Sequence, residues 1–192
     1  MRSTLWGGGL AAVIGLTGIA QAHADLVTNG GFETGDLTGW STSAGANIGV
    51  TNSPVIAGNF SAALGDGTSS PGTLSQTRST VSGATYTISF LLQNWDTTNT
   101  NSFSATFGAD VRFSETNANP DPSAVAETFE DTATSDTTLL SFTDTNPNQI
   151  FLLDNVSVTP LIAVPEPSSI ALLGAGLTGL FALGARRRSR SL

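Results

Sequence analysis

The side chains able to do chemistry in this chain are almost all carboxylates. Its 192 residues carry 15 Asp and Glu, seven basic residues that are all arginine, one histidine and no cysteine. Fourteen of the acids fall between Asp25 and Pro160, and the histidine, His23, precedes them. That stretch therefore has no imidazole to activate a serine, no thiolate nucleophile and no Schiff-base amine. The usual His and Cys ligands of zinc are missing as well. What survives is a carboxylate pair acting on a glycosidic bond, with one acid held protonated. Among fourteen acids some close pair arises by chance, so none is nominated and the domain is expected to be non-catalytic.

Carboxylate oxygens suit calcium better, because it accepts hard oxygen ligands from separate chain segments. Between Gln149 and Thr159, the residues Ile150, Leu152, Val156 and Val158 share one parity, with Asp154 in their middle. In a strand without a bulge that carboxylate faces the core, where it is costly unless paired or metal-bound. Glu33, beside the core-type Phe32, is the natural companion for a structural calcium that ties the first strand to the last. Alternatively, Asp154 caps backbone amides or sits at a solvated bulge.

Aromatic side chains on loops can stack on the apolar face of a sugar ring. Trp95 follows the most regular strand pattern and opens the polar run Asp96 to Asn101, which makes it the candidate ligand contact. Asn94, Asp96 and Arg112 can add hydrogen bonds, while Trp40 reads as a core anchor. From Asp25 to Val164, two arginines stand against 14 acids, a balance of 2 minus 14, or −12. Nucleic acid needs basic patches and is excluded as a partner, and anionic lipid surfaces repel such a domain. Neutral or calcium-rich polysaccharide does not.

The elements that hold these residues are strands. From Thr85 to Asn94, Tyr86, Ile88, Phe90 and Leu92 share one face and Thr85, Thr87, Ser89 and Gln93 the other. Further strands are expected over Leu74 to Val81, Phe103 to Phe107, Val111 to Phe113, Thr138 to Phe142 and Gln149 to Thr159. Asp66-Gly67, Pro71-Gly72, Ser82-Gly83 and Asn146-Pro147-Asn148 punctuate them. Glu115 to Asp136 reads as a long loop with one strand around Glu127 to Glu130. Half-buried strands must cover one another's apolar faces, so the expected fold is all-β, an antiparallel β-sandwich of jelly-roll type over residues 25–160.

Both ends of the chain read as address segments. Residues 1–24 combine Arg2, an apolar run and Ala22-His23-Ala24, the pattern of a signal peptide cleaved after Ala24. Within residues 161–192, Ser168 to Ala185 is uncharged; as a transmembrane helix it would measure ~27 Å, barely enough to span ~30 Å of hydrocarbon. Arg186, Arg187, Arg188 and Arg190 follow it as a cytoplasmic stop. Before it, Pro165, Glu166 and Pro167 forbid helix and strand pairing and leave an extended, accessible backbone.

The order Pro-Glu-Pro, apolar helix, arginine cluster over residues 164–190 resembles a PEP-CTERM sorting signal. That resemblance implies recognition of Pro165, Glu166 and Pro167 by an exosortase, a membrane-embedded processing enzyme of bacteria that make extracellular polysaccharide. It implies an exported protein, held briefly at the membrane and then left at the cell surface or in the matrix. A second resemblance rests on Leu26-Val27-Thr28-Asn29-Gly30-Gly31-Phe32-Glu33, Gly39-Trp40, Gly83 to Phe90 and Leu153 to Val158. Their order is similar to that of galactose-binding-like jelly rolls, which include many carbohydrate-binding modules. This implies a sugar-binding domain and a structural calcium held by acids at the positions of Glu33 and Asp154 with backbone carbonyls. A structural matrix or adhesion protein without a sugar site is the alternative.

Overall fold

A computed structural model describes residues 24–65 and 68–161. The signal segment through His23, including Ala22, lies outside the described residues, as do the Pro-Glu-Pro motif, the apolar stretch and the arginine cluster. Among the described residues there is no helix, and none long and apolar enough to cross a membrane.

Ten strands form two antiparallel five-stranded sheets. They are β1 Ser41–Thr42, β2 Ile48–Thr51, β3 Ser61–Leu64, β4 Thr68–Ser79, β5 Thr85–Asn94, β6 Ser102–Phe107, β7 Val111–Thr116, β8 Val125–Thr132, β9 Thr137–Asn146 and β10 Phe151–Pro160. One sheet has the order β1-β4-β9-β6-β7 and the other β2-β3-β10-β5-β8, so the sandwich expected from the alternation is present. In β5 the burial alternates residue by residue, with Tyr86, Ile88, Phe90 and Leu92 inside. Between the sheets, Phe90 meets Phe142 at 5.2 Å and Phe113 at 5.6 Å, edge to face, and Phe103 meets Phe151 at 5.3 Å. Trp40 joins this cluster beside Phe32 and Phe142, and its indole N–H donates to the Asn29 carbonyl. Among the described residues every buried hydrophobic side chain lies between Phe32 and Val158, so the sandwich encloses a core of its own, as a unit able to fold alone must.

Several strands run beyond the sequence-based expectation. β4 continues through Pro71-Gly72, which reads as a turn, because a bulge between Thr68 and Gly72 absorbs the proline in its pairing with β9. β8 spans eight residues where a short strand within a loop was expected, because it completes the β5 edge from Thr85 to Leu92.

The segment before β1 is stitched to the last strand. Leu26 N donates to Val158 O at 2.9 Å, Val156 N to Gly30 O at 2.9 Å, and the Asp25 carboxylate accepts from Val158 N. At Gly30 an added Cβ would lie 1.9 Å from Val156 O, so only glycine permits this approach. Beyond β10, Leu161 N donates to Thr85 O, so the described chain begins and ends at the same end of the sandwich.

Candidate functional site

The two acids singled out for calcium are brought together, though by a different route from the one the parity suggests. A bulge between Asp154 and Ser157 interrupts the pairing of β10 with β5. Val156 and Val158 therefore point inward, whereas Leu152 and Asp154, opposite Gln93 and Leu91, share the outer face. The expectation of a core-facing Asp154 is corrected on this point. Its carboxylate is nonetheless 1% exposed, covered by the chain around Ala57 to Ser61. Ser61 Oγ donates to Asp154 Oδ2 at 2.8 Å and Asn155 N to Oδ1 at 2.6 Å. Burial raises its pKa above the ordinary carboxylate value in spite of these bonds.

Glu33 lies on the surface beside this cluster. Its Oε1 accepts from Asn59 N at 2.8 Å and Phe60 N at 3.3 Å, and its Oε2 from Asn59 Nδ2 at 2.9 Å. Those bonds, led by the Asn59 side chain, lower its pKa. Three side chains from two segments converge on Gly31: a Cβ there would sit 3.5 Å from Asn155 Oδ1, 3.6 Å from Asp154 Oδ1 and 3.7 Å from Glu33 Cγ. Among the described residues no group of three or more His, Cys, Asp or Glu could hold a metal. The oxygens gathered here belong to two carboxylates and an Asn amide, and both carboxylates already accept protein hydrogen bonds.

Trp95 caps the end of β5, with its N–H on Ile150 O at 3.1 Å, and is 41% exposed. It is the most exposed aromatic side chain among the described residues. The loop behind it is cross-linked by hydrogen bonds. Asp96, fully buried, accepts from Thr98 N and Oγ1 at 2.7 and 2.6 Å, from Thr100 N at 3.1 Å and from Asn101 Nδ2 at 3.0 Å. Burial alone would raise its pKa, and these donors turn the net shift downward. Asn94, also fully buried, donates from its amide to the Ala118 and Asn119 carbonyls and from its backbone N–H to the Asp121 carboxylate. Asn94 and Asp96 thus build the platform and present no free face to a ligand, whereas Trp95 is presented by it. Arg112 lies at the opposite end of the sandwich, in a bidentate ion pair with Asp131.

Away from Trp95 the sheet faces offer little to stack on. The outer face of the β9 sheet carries Thr73, Ser75, Ser104, Thr143 and Ser114 in cross-strand register. A flat hydroxyl surface competes poorly with water for a sugar, so the aromatic loop end is the better candidate.

Residues 163–188 match the PEP-CTERM protein-sorting motif. No curated protein matches the chain. The sandwich is similar to the CBM22-1 xylan-binding domain from Paenibacillus barcinonensis, at 18% identity and a TM-score of 0.59, covering 76% of this chain and all of that domain. It is also similar to a family 61 carbohydrate-binding module solved with β-1,4-galactotriose, at 13% identity and a TM-score of 0.58, over 71% of this chain and 99% of that one. A Stig cyclase from Fischerella sp. matches at 18% identity and a TM-score of 0.52, over 72% of this chain and 98% of that one, so the fold serves catalysts as well. The chain thus joins a jelly-roll sandwich like those of carbohydrate-binding modules to a C-terminal PEP-CTERM sorting motif.

Proposed function

We propose that the protein is a non-catalytic polysaccharide-binding module, exported, handed by its C-terminal segment to an exosortase and left at the cell surface or in the extracellular matrix. The observation that carries the binding reading is Trp95: an indole held out to solvent on a loop whose every buried polar group is bonded inward. A rigid platform lowers the ordering cost of binding, so the stacking energy is kept as affinity. Pro165, Glu166 and Pro167 are the recognition residues in this reading, Arg186, Arg187, Arg188 and Arg190 hold the cytoplasmic side, and export begins with cleavage between Ala24 and Asp25.

Calcium belongs to the same reading as a structural ion. Glu33, Asp154 and the Asn155 amide oxygen would hold it. Its charge would neutralise a buried carboxylate and pin the first segment to β10.

A glycan array probed with the sandwich, residues 25–161, tests the binding claim, with xylan and β-1,4-galactan oligosaccharides included. Removing one stacking aromatic costs about 1.5 kcal/mol, so Trp95→Ala is expected to weaken the signal about tenfold. Unchanged binding in Trp95→Ala would move the site elsewhere. Self-association with no glycan signal would favour the matrix or adhesion reading.

A further inference from the structure

At the other end of the sandwich, the β6–β7 hairpin and the chain leaving β8 enclose a cavity of about 320 Å3. Gly108, Ala109 and Asp110 form one wall, Thr132 and Thr134 the other, and Arg112 stands between them. The guanidinium is fixed from behind. Nε donates to Asp131 Oδ2 and Nη2 to Asp131 Oδ1, both at 2.8 Å, and Nη2 reaches Asp110 Oδ2 at 3.2 Å. The Asp131 side chain is 7% exposed and also accepts from Thr132 N at 2.7 Å, so the pair is positioned without help from solvent. Arg112 itself keeps 40% of its side chain exposed, and its Nη1 has no hydrogen-bond partner among the described residues.

We propose that this cavity is a second sugar site, taking a single neutral pyranose unit at the end of a glycan chain. It rests on the glycan-binding reading for its ligand class but not on Trp95. Nη2 is spent on Asp131 and Asp110, so the donor left for a ligand is Arg112 Nη1; beside it the exposed Asp110 carboxylate supplies the acceptor, and neighbouring sugar hydroxyls, each of which accepts one bond and donates another, match such a donor and acceptor side by side. Two carboxylates against one guanidinium leave the cavity at −1, which disfavours uronate or sulfated units. A volume near the low end of the ~300–1,000 Å3 typical of small-molecule sites holds one ring and not a chain. Thr132 at its rim pairs with Thr85, whereas Trp95 follows Asn94 at the far end of the same strand. Ten residues of β5 separate the two places, about 30 Å at ~3.3 Å per residue. With both occupied, one module joins two glycan chains.

The test is amide chemical-shift mapping on the sandwich titrated with the methyl glycosides of xylose, galactose, glucose and N-acetylglucosamine to ~50 mM, enough to fill a millimolar site. At least one of them is expected to shift Gly108 to Arg112 together with Asp131 to Thr134. Asp110→Asn, on an exposed loop, and Arg112→Lys, which keeps the charge opposite Asp131 but loses the fork, are each expected to weaken those shifts about tenfold while the remaining spectrum keeps its dispersion. Shifts confined to Trp95 to Asn101 would overturn the second site and leave the glycan-binding reading standing. Absence of shifts at the cavity with every glycoside, or shifts there unaltered in both variants, would overturn it too.

Discussion

Asp144 supplies a sharp test of how this core is held. It follows Phe142 on the inward face of β9 and is 1% exposed, opposite Gly72 on β4 and Phe103 on β6. The space there is made by glycines: a Cβ on Gly65 would fall 2.3 Å from Asp144 Oδ2, and one on Gly72 2.8 Å from Oδ1. Among the described residues Oδ1 has no hydrogen-bond partner, and neither has the nearby Asn146 Nδ2. Burial pushes the Asp144 pKa from 3.8 to about 7. A carboxylic acid whose native pKa exceeds its unfolded value costs nothing while protonated in both states. The cost grows as pH rises from 3.8 toward 7 and is complete above it. With 1.36 kcal/mol per unit, the gap amounts to about 4 kcal/mol. Asp144→Asn keeps the shape and removes the titration. Near pH 4 its stability should match that of the parent to within ~1 kcal/mol, and at pH 8 its melting temperature should exceed the parent's by ~10 °C at ~2–4 °C per kcal/mol. Thermal melts of residues 25–161 at both pH values decide the matter. A difference between variant and parent that does not change with pH would refute the argument.

Two further outcomes follow from the proposed ion and the proposed processing. Calcium is expected to raise the melting temperature of the sandwich by several degrees and a chelator to reverse this, with the response lost in Asp154→Asn; an unchanged melt on adding chelator would remove calcium from the account. In cells lacking the exosortase, intact-mass measurement is expected to show the protein retaining the residues beyond Pro167, whereas an identical mass in both strains would dissociate the motif from processing.

The alternation that identified β5 worked because the inward Tyr86, Ile88, Phe90 and Leu92 are large and apolar and the outward residues, Leu91 excepted, are polar, a period of two that no helix shares. β2 and β3 escaped notice because each is only four residues long: Gly49 interrupts the β-branched Ile48, Val50 and Thr51, and Ser61–Leu64 has no β-branched residue. In β10 the residue types were informative but the register was not. A bulge moves side chains between faces without altering composition, and so Asp154 is buried outside the core and not within it. Trp95 was legible because a large aromatic directly follows a complete strand and enters a polar run. The pairing of Arg112 with Asp131 was not, since the two lie 19 positions apart and meet only where the free edges of β7 and β8 draw together.

The stitching of the opening segment to β10 has a mechanical consequence. Residues 24 and 161, where the described chain begins and ends, lie at one pole of the domain, with the indole at the other. If the tail is moored and a polymer tugs at the Trp95 pole, traction runs lengthwise along β10. Its rungs to β5 on one flank and to β3 on the other lie across the direction of pull, so they must shear together and do not peel one at a time.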